Sequence, residues 1–230
     1  MNAYQTKFIE RIERTPSSVS YRFARPDGLA FTAGQYMLVD LGDKLVHPLS
    51  LSDCPEETGY IEFTKRMTGS PYCEKLESLA RGIPATVKGP TGKFICEEAS
   101  GTIVMIAGGI GITPIRSILK SHEKKKGSAC KIVLLYGNLN KDDIAFRAEL
   151  ENLALPDYRL VHVLSDPTGM DNAHQGFITA EVITKEVPDY PGATYMISGP
   201  PVMVEAMKKA LAAISVKEDQ VRTDIFLGYD

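Results

Sequence analysis

Residues 103 to 119 read IVMIAGGIGITPIRSIL, and no other stretch limits the fold of this chain as much. An apolar run stops at Gly108 and Gly109, passes Ile110 and Gly111, reaches Thr113 and Pro114, and resumes with helical spacing at Ile115, Ile118 and Leu119. Bare backbone between a strand and a helix lets the chain turn sharply and lets a ligand approach without meeting Cβ atoms. The spacing predicts Thr113 as helix cap and Pro114 as the first helical residue, where a missing N–H costs nothing. Free N–H groups and the helix dipole then make an anion site suited to a dinucleotide pyrophosphate. The stretch is neither G-x-G-x-x-G nor a mononucleotide P-loop, so a tight turn without a ligand stays open as a reading of these residues alone.

The chain changes its periodicity near this point. Up to about residue 98, short alternating runs (VSYRFA, AGQYMLVDL, GYIEFTKRM) are punctuated by Gly and Pro, which predicts an antiparallel barrel or sandwich. One helix is expected in this half, over SPYCEKLESLARG, with Pro71 near its start, Leu76 and Leu79 on one face and Gly82 as its stop. From Thr102 onward, the apolar strands TIVMIAG, KIVLLYG, RLVHVLS and TYMISG alternate with helical stretches PIRSILKSHEKK, DDIAFRAELENLA, TAEVITKEV and PVMVEAMKKALAAI. Such alternation predicts a doubly wound α/β parallel sheet, with ligands at the carboxyl ends of its strands. The expected organisation is therefore two-domain: residues 1–98 an antiparallel β-barrel, and residues 99–230 a nucleotide-binding α/β domain.

Composition narrows the function by exclusion. A formal net charge of −3, with one basic triplet at Lys124 to Lys126, argues against a nucleic-acid partner. The charged N-terminus and the absence of a long uncharged stretch predict a cytoplasmic protein with no membrane span. The four cysteines, Cys54, Cys73, Cys96 and Cys130, form no C-x-x-C pair, so neither a zinc site nor an iron–sulfur cluster is expected on this chain, and no metal site of any kind is assigned.

Several short motifs in one order carry a resemblance. GQY, HPLS, TKRMTGSPYCEKL, GPTGKF, AGGIGITP, YGN, SGPPVM and IFLGY follow one another along nearly the whole chain, which in this respect is similar to the ferredoxin–NADP reductase superfamily. The resemblance implies a flavin-binding barrel followed by a pyridine-nucleotide domain, FAD as cofactor and NADH or NADPH as hydride donor. It assigns His47, Pro48, Leu49, Ser50, Thr64, Lys65, Arg66, Gly69, Ser70, Cys73 and Phe226 to the flavin, with Tyr229 the second choice for the covering aromatic. To the nicotinamide nucleotide it assigns Gly108, Gly109, Ile110, Gly111, Thr113, Pro114, Asn138, Asp166, Ser198, Gly199, Pro200 and Met203. Ser50 and Ser198 are the two residues it implies for the catalytic centre, both as positional hydroxyls and not as nucleophiles.

Three departures from the family pattern matter. His47 replaces the usual arginine, and imidazole is the weaker, pH-dependent phosphate partner. Leu49 offers no aromatic face, and Ser198 stands where the family has cysteine. Asp166 after Ser165 reads in two ways: as a carboxylate that repels a 2′-phosphate and so selects NADH, or as a turn former before Pro167. Phe226 likewise reads as a ring over the flavin or as a core residue of the last strand. The function expected is an FAD-dependent NAD(P)H oxidoreductase feeding electrons to a separate redox partner, a ferredoxin, a flavodoxin or an oxygenase component. Two alternatives stay open: a flavin reductase using free flavin, and an electron-transfer subunit or nucleotide-binding regulatory domain inactive without its partner.

Overall fold

The computed structural model describes residues 1–126 and 129–226. In the N-terminal half, β1 (Asn2–Thr15), β2 (Ser18–Ala24), β3 (Tyr36–Asp40), β4 (Val46–Ser50), β5 (Tyr60–Arg66) and β6 (Pro84–Thr91) form one sheet in the order β4-β3-β6-β1-β2-β5, with helix α1 (Pro71–Glu77) between β5 and β6. Every pairing within it is antiparallel. A bridge from Leu51 to Phe63 and the hydrogen bond from Ser52 N to Glu62 O at 2.8 Å bring the two edge strands together, closing the sheet toward a barrel. Phe8, Tyr21, Phe23, Phe63 and Met37 fill its interior.

The C-terminal half is the parallel sheet that the alternation predicts. Strands β7 (Ser100–Gly108), β8 (Ala129–Asn138), β9 (Tyr158–Leu164), β10 (His174–Gln175), β11 (Thr194–Gly199) and β12 (Val221–Ile225) stand in the order β10-β9-β8-β7-β11-β12. Helices α2 (Ile112–Lys125), α3 (Arg147–Glu151), α4 (Ala180–Glu186) and α5 (Pro201–Ala213) connect them. The chain runs outward from β7 to β10, then returns to the other side of β7 at β11. That reversal opens a crevice at the carboxyl ends of β7 and β11. Successive residues of β7 serve opposite cores, Ile103, Met105 and Ala107 on one face and Val104 and Ile106 on the other. Near-continuous apolar strands are the consequence of covering both faces.

Four local readings need correction. Strand β1 was hidden because charges occupy its solvent side, while Thr6, Phe8 and Thr15 turn inward. The stretch DDIAFRAELENLA is not one helix: Phe146 adopts φ 60°, a left-handed conformation that breaks the helical run, and only Arg147–Glu151 is α-helical. Helix α1 ends at Glu77, well before Gly82, although its start is as expected, with Ser70 capping and Pro71 in the first position. Finally, Thr113 does not cap α2. A 3-10 turn over Gly109–Gly111 starts the helix two residues earlier than expected, at Ile112, and the Thr113 hydroxyl donates backward to Ile110 O at 3.1 Å.

The glycines of that turn do different work. A Cβ on Gly111 would overlap the carbonyl of Ser198, and one on Gly108 would overlap the sulfur of Met203. Gly109 has open space around the same position but sits at φ +51°. Gly111→Ala therefore meets rigid backbone, and urea denaturation is expected to show a loss of about 3 kcal/mol or more. Gly109→Ala is expected to lose only about 1 kcal/mol, the strain of a left-handed alanine. Equal losses in the two variants would mean that close approach of the turn to β11 is not the constraint.

Candidate functional site: two clefts meeting at one turn

Two clefts open along the junction of the halves, and Ile110 and Arg66 line both. The larger, about 490 Å³, lies at the carboxyl ends of the parallel strands and is walled by Gly108, Gly109, Asn138, Pro200 and Met203. The barrel adds Ser17, Ser18 and Arg66 to its rim. The smaller, about 310 Å³, is walled by His47, Pro48, Leu49, Ser50, Thr64, Lys65, Arg66 and Phe226, together with Tyr36, Asp224 and Ile225.

The sequence-assigned residues divide into those that face a cleft and those that hold its wall. Gly111, Thr113 and Pro114 are buried behind the turn, where they pack it on the sheet. Ser198 and Gly199 form the floor beneath it, both buried. Gly69, Ser70 and Cys73 form the capped start of α1, outside the lining of the smaller cleft. Burial opposes ionisation of the Cys73 thiol, but hydrogen bonds with Ser70 and Thr68 outweigh it and hold its pKa below the ordinary thiol value. Asp166 lies one residue beyond Ser165, a lining residue of the larger cleft. Its carboxylate accepts from Thr168 N at 3.0 Å and Thr168 Oγ1 at 2.6 Å, so the turn-forming role is present in the structure. Phe226 is half-buried at the smaller cleft, outside the three apolar cores, and its N–H donates to Gly199 O at 3.1 Å. Tyr229 lies outside the described residues.

The polar groups of the site are prepared unevenly. His47 leans on the Tyr72 ring, with centroids 4.2 Å apart, and burial together with the neighbouring Lys65 charge lowers its pKa, so at neutral pH it is an uncharged imidazole. The Thr64 hydroxyl sits 2.7 Å from Ser20 Oγ and 2.8 Å from Ser52 Oγ, which commits its proton inward and leaves its methyl and backbone to the cleft. Ser198 Oγ is buried and has no hydrogen-bond partner, as are both amide atoms of Asn138. Buried polar atoms without partners are costly and rare; Asn138 stands in the wall of the larger cleft, whereas Ser198 is fully buried and lines neither cleft.

Sequence reading missed Asp224. It is the ladder partner of Ser198 on the neighbouring strand β12, lines the smaller cleft and accepts from Ser50 Oγ at 3.5 Å. Burial raises its pKa to about 6, against a small opposing effect of Ser50. The signal was an acidic residue inside the last apolar run, RTDIF. Phe177 was missed as well: it is 78% exposed, yet lines the larger cleft with Leu139 and Val202, a ring of apolar side chains that no packing demand explains.

These residues fit a flavin and a pyridine dinucleotide. The bare, outward-facing Gly109 backbone suits a pyrophosphate, the Asn138 amide in the wall of the larger cleft suits a polar ligand group, and the smaller cleft offers an apolar wall, Leu49 and Phe226, beside cationic Lys65 and Arg66. When bound, FAD supplies the hydride acceptor and the one-electron donor chemistry.

Comparison with known proteins agrees. Residues 105–209 match the model of the oxidoreductase NAD-binding domain. The chain is 30% identical over 242 residues to NADH-cytochrome b5 reductase 1 of Cryptococcus neoformans, covering 94% of this chain and 82% of that one. Its fold matches the cytochrome b5 reductase domain of Ulva prolifera nitrate reductase (TM-score 0.85, 22% identity, 97% of each chain). It also matches a ferredoxin NADP+ reductase from Neisseria gonorrhoeae with bound FAD and NADP (TM-score 0.84, 18% identity, 98% of this chain and 99% of that one).

Asp224 gives the site a pH signature. Its folded-state pKa of about 6 lies above the ordinary 3.8, so the native state holds this proton more tightly than the unfolded chain. The associated stability is fully present below pH 3.8 and is lost as pH rises through about 6. Asp224→Asn is expected to remove that slope, which urea midpoints of the flavin-free protein measured from pH 4.5 to 7.5 will test; parallel curves for variant and wild type would deny the carboxyl its buried setting. From the glycine turn to the shared cleft wall, sequence and architecture lead to one assignment: this chain belongs to the ferredoxin–NADP reductase/cytochrome b5 reductase family of FAD- and NAD-binding oxidoreductases.

Proposed function

We propose that the protein takes hydride from NADH in preference to NADPH, passes it to FAD held in the smaller cleft, and delivers electrons one at a time to a separate haem protein of the cytochrome b5 kind. The observation that carries the reading is the shared wall at Ile110 and Arg66, which lets a ligand in one cleft touch a ligand in the other. Ser50 and Ser198 are the catalytic-centre residues. The Ser198 hydroxyl orients the nicotinamide end, and the Ser50 hydroxyl, donating to the half-buried Asp224, stands beside the flavin ring. Gly108, Gly109, Ile110 and Pro200 receive the pyrophosphate side, with Gly111, Thr113, Pro114, Gly199 and Met203 holding that turn in place. Asn138 supplies its unpaired amide, and the exposed Phe177 ring offers an adenine a stacking face.

On the flavin side, His47, Pro48, Leu49, Lys65, Arg66 and the Thr64 backbone contact the cofactor, Phe226 covers its ring, and Gly69, Ser70 and Cys73 turn the start of α1 toward its phosphates. Asp166 keeps its charge beside the Ser165 rim while forming its turn, which disfavours a 2′-phosphate there. Relatives named for cytochrome b5 support this choice of acceptor. A ferredoxin, flavodoxin or oxygenase component as acceptor has the same electron requirement, and the similar ferredoxin NADP+ reductase shares the fold at 18% identity.

One observation favours a second reading. An uncharged His47 is a poor phosphate partner, which suits a flavin that binds and leaves as a substrate. Purification with FAD at one equivalent, bleached anaerobically by NADH and reoxidised by cytochrome b5, is the result expected. A colourless protein that reduces added flavin would select the free-flavin reductase instead. His47→Arg adds a charge-assisted hydrogen bond worth roughly 1.5 kcal/mol and is expected to tighten FAD binding about tenfold in a fluorescence titration. Asp166→Ser is expected to narrow the NADH-to-NADPH ratio of kcat/KM by about tenfold; an unchanged ratio would confine Asp166 to its turn.

A further inference from the structure

Arg116 is a buried cation that the chemistry above leaves unused. It lies on α2, just past the glycine turn, with its side chain 4% exposed. Its Nη1 donates to the carbonyl of Ser52, which belongs to the other half of the molecule and stands two residues beyond Ser50. Its Nη2 donates to Glu149 Oε2 at 2.9 Å, and Nη1 lies 3.7 Å from Glu62 Oε1. The next residue repeats the connection, since Ser117 Oγ donates to Asp53 O at 2.5 Å.

Glu62 is the centre of a buried polar cluster. Its carboxylate, fully buried, receives Arg14 Nη2 at 3.0 Å, Arg22 Nε at 2.8 Å and the hydroxyl of Ser52 at 3.1 Å, and Ser20 Oγ lies 3.3 Å away. Burial alone would raise its pKa, but the three arginines outweigh that and keep it ionised. The two serines are the same pair that brackets Thr64 at the floor of the smaller cleft. Each hydroxyl has one proton to give, and a continuous chain uses each once: Arg14 Nε to Ser20, Ser20 to Thr64, Thr64 to Ser52, Ser52 to Glu62. Phe146 is clasped between the guanidinium groups of Arg14 and Arg116, at 4.7 and 4.6 Å from its ring centre.

We propose that Arg116 is a positioning residue for hydride transfer, tying the helix behind the nicotinamide turn to the segment behind the flavin strand so that the two rings are held at reacting distance. The inference rests on the reading that hydride passes where the two clefts meet. Reaction requires atoms about 3 to 3.5 Å apart, and a displacement near 1 Å costs about a hundredfold in rate. Arg116 bonds directly to one of the two segments that set this distance and is part of the other. The planar fork matters, because one side chain must reach the Ser52 carbonyl and Glu149 at once, which an ammonium cannot do in the same geometry.

The test is anaerobic stopped-flow reduction of the FAD-loaded protein by NADH. For Arg116→Met, the limiting rate at saturating NADH is expected to fall about tenfold or more, while NADH affinity and FAD content stay within about twofold of wild type. Arg116→Lys keeps a positive charge beside Glu62 and is expected to fold as wild type does, yet to lose about fivefold in the same limiting rate. Where the methionine variant fails to fold, the lysine variant carries the test by itself. A purely structural role predicts lower melting temperatures with the wild-type limiting rate, and that result in a folded variant overturns the inference. A wild-type protein that NADH does not bleach removes the functional reading and this inference together. Bleaching of wild type and variants at one rate removes the inference alone.

Discussion

Two backbone segments, the turn at residues 108–111 and the end of β11, approach each other more closely than side chains would allow, and the site is built outward from that contact. Gly111 has no Cβ because the Ser198 carbonyl occupies the place, and Gly108 has none because Met203 does. The turn is therefore pressed against the floor of the crevice, and its remaining glycine, Gly109, presents backbone to the opening. What at first resembles a ligand-driven choice of glycines is in two of three positions a packing demand of the protein itself. The ligand surface is its by-product.

A second constraint is electrostatic. Three arginines converge on one buried carboxylate where the halves meet. Burying ions in this way is stabilising only if every partner stays in place, since removing one leaves an uncompensated charge. Asp53, fully buried beside the cluster, shows the alternative: burial, with the neighbouring Glu57 and Glu62 charges in support, pushes its pKa well above the usual carboxylate value, and one of its oxygens has no partner. One acid is held ionised by arginines and the other is driven toward neutrality. Such a junction has few alternative arrangements, which is what two cofactors held ring to ring require.

Much of this was legible in the sequence because periodicity reports burial directly. The parallel sheet announced itself through strands apolar on both faces, and the glycine turn through its punctuation. The assignment of Ser50, Asn138 and Met203, which line the clefts, came from motif order, not from any local signal. What stayed hidden has physical reasons. Strand β1 carries so many charges on its solvent side that its three inward residues were masked. The break at Phe146 is a left-handed residue clasped by two arginines distant in sequence, which no local window contains. Asp224 gains its meaning only from β12 lying beside β11, and Arg116 only from meeting the other half. Long-range contacts assign roles that spacing cannot express. No helix among the described residues is long and apolar enough to cross a membrane.

The central claim is geometric: one wall, at Ile110 and Arg66, serves both clefts. A crystal structure of the protein with FAD and NAD+ tests it most directly. The account requires the pyrophosphate against Gly109, the isoalloxazine beside Ser50 and Asp224, and the nicotinamide ring flat against it next to Ser198. A nicotinamide ring lying away from the isoalloxazine, with the dinucleotide seated on the turn or elsewhere, would contradict it.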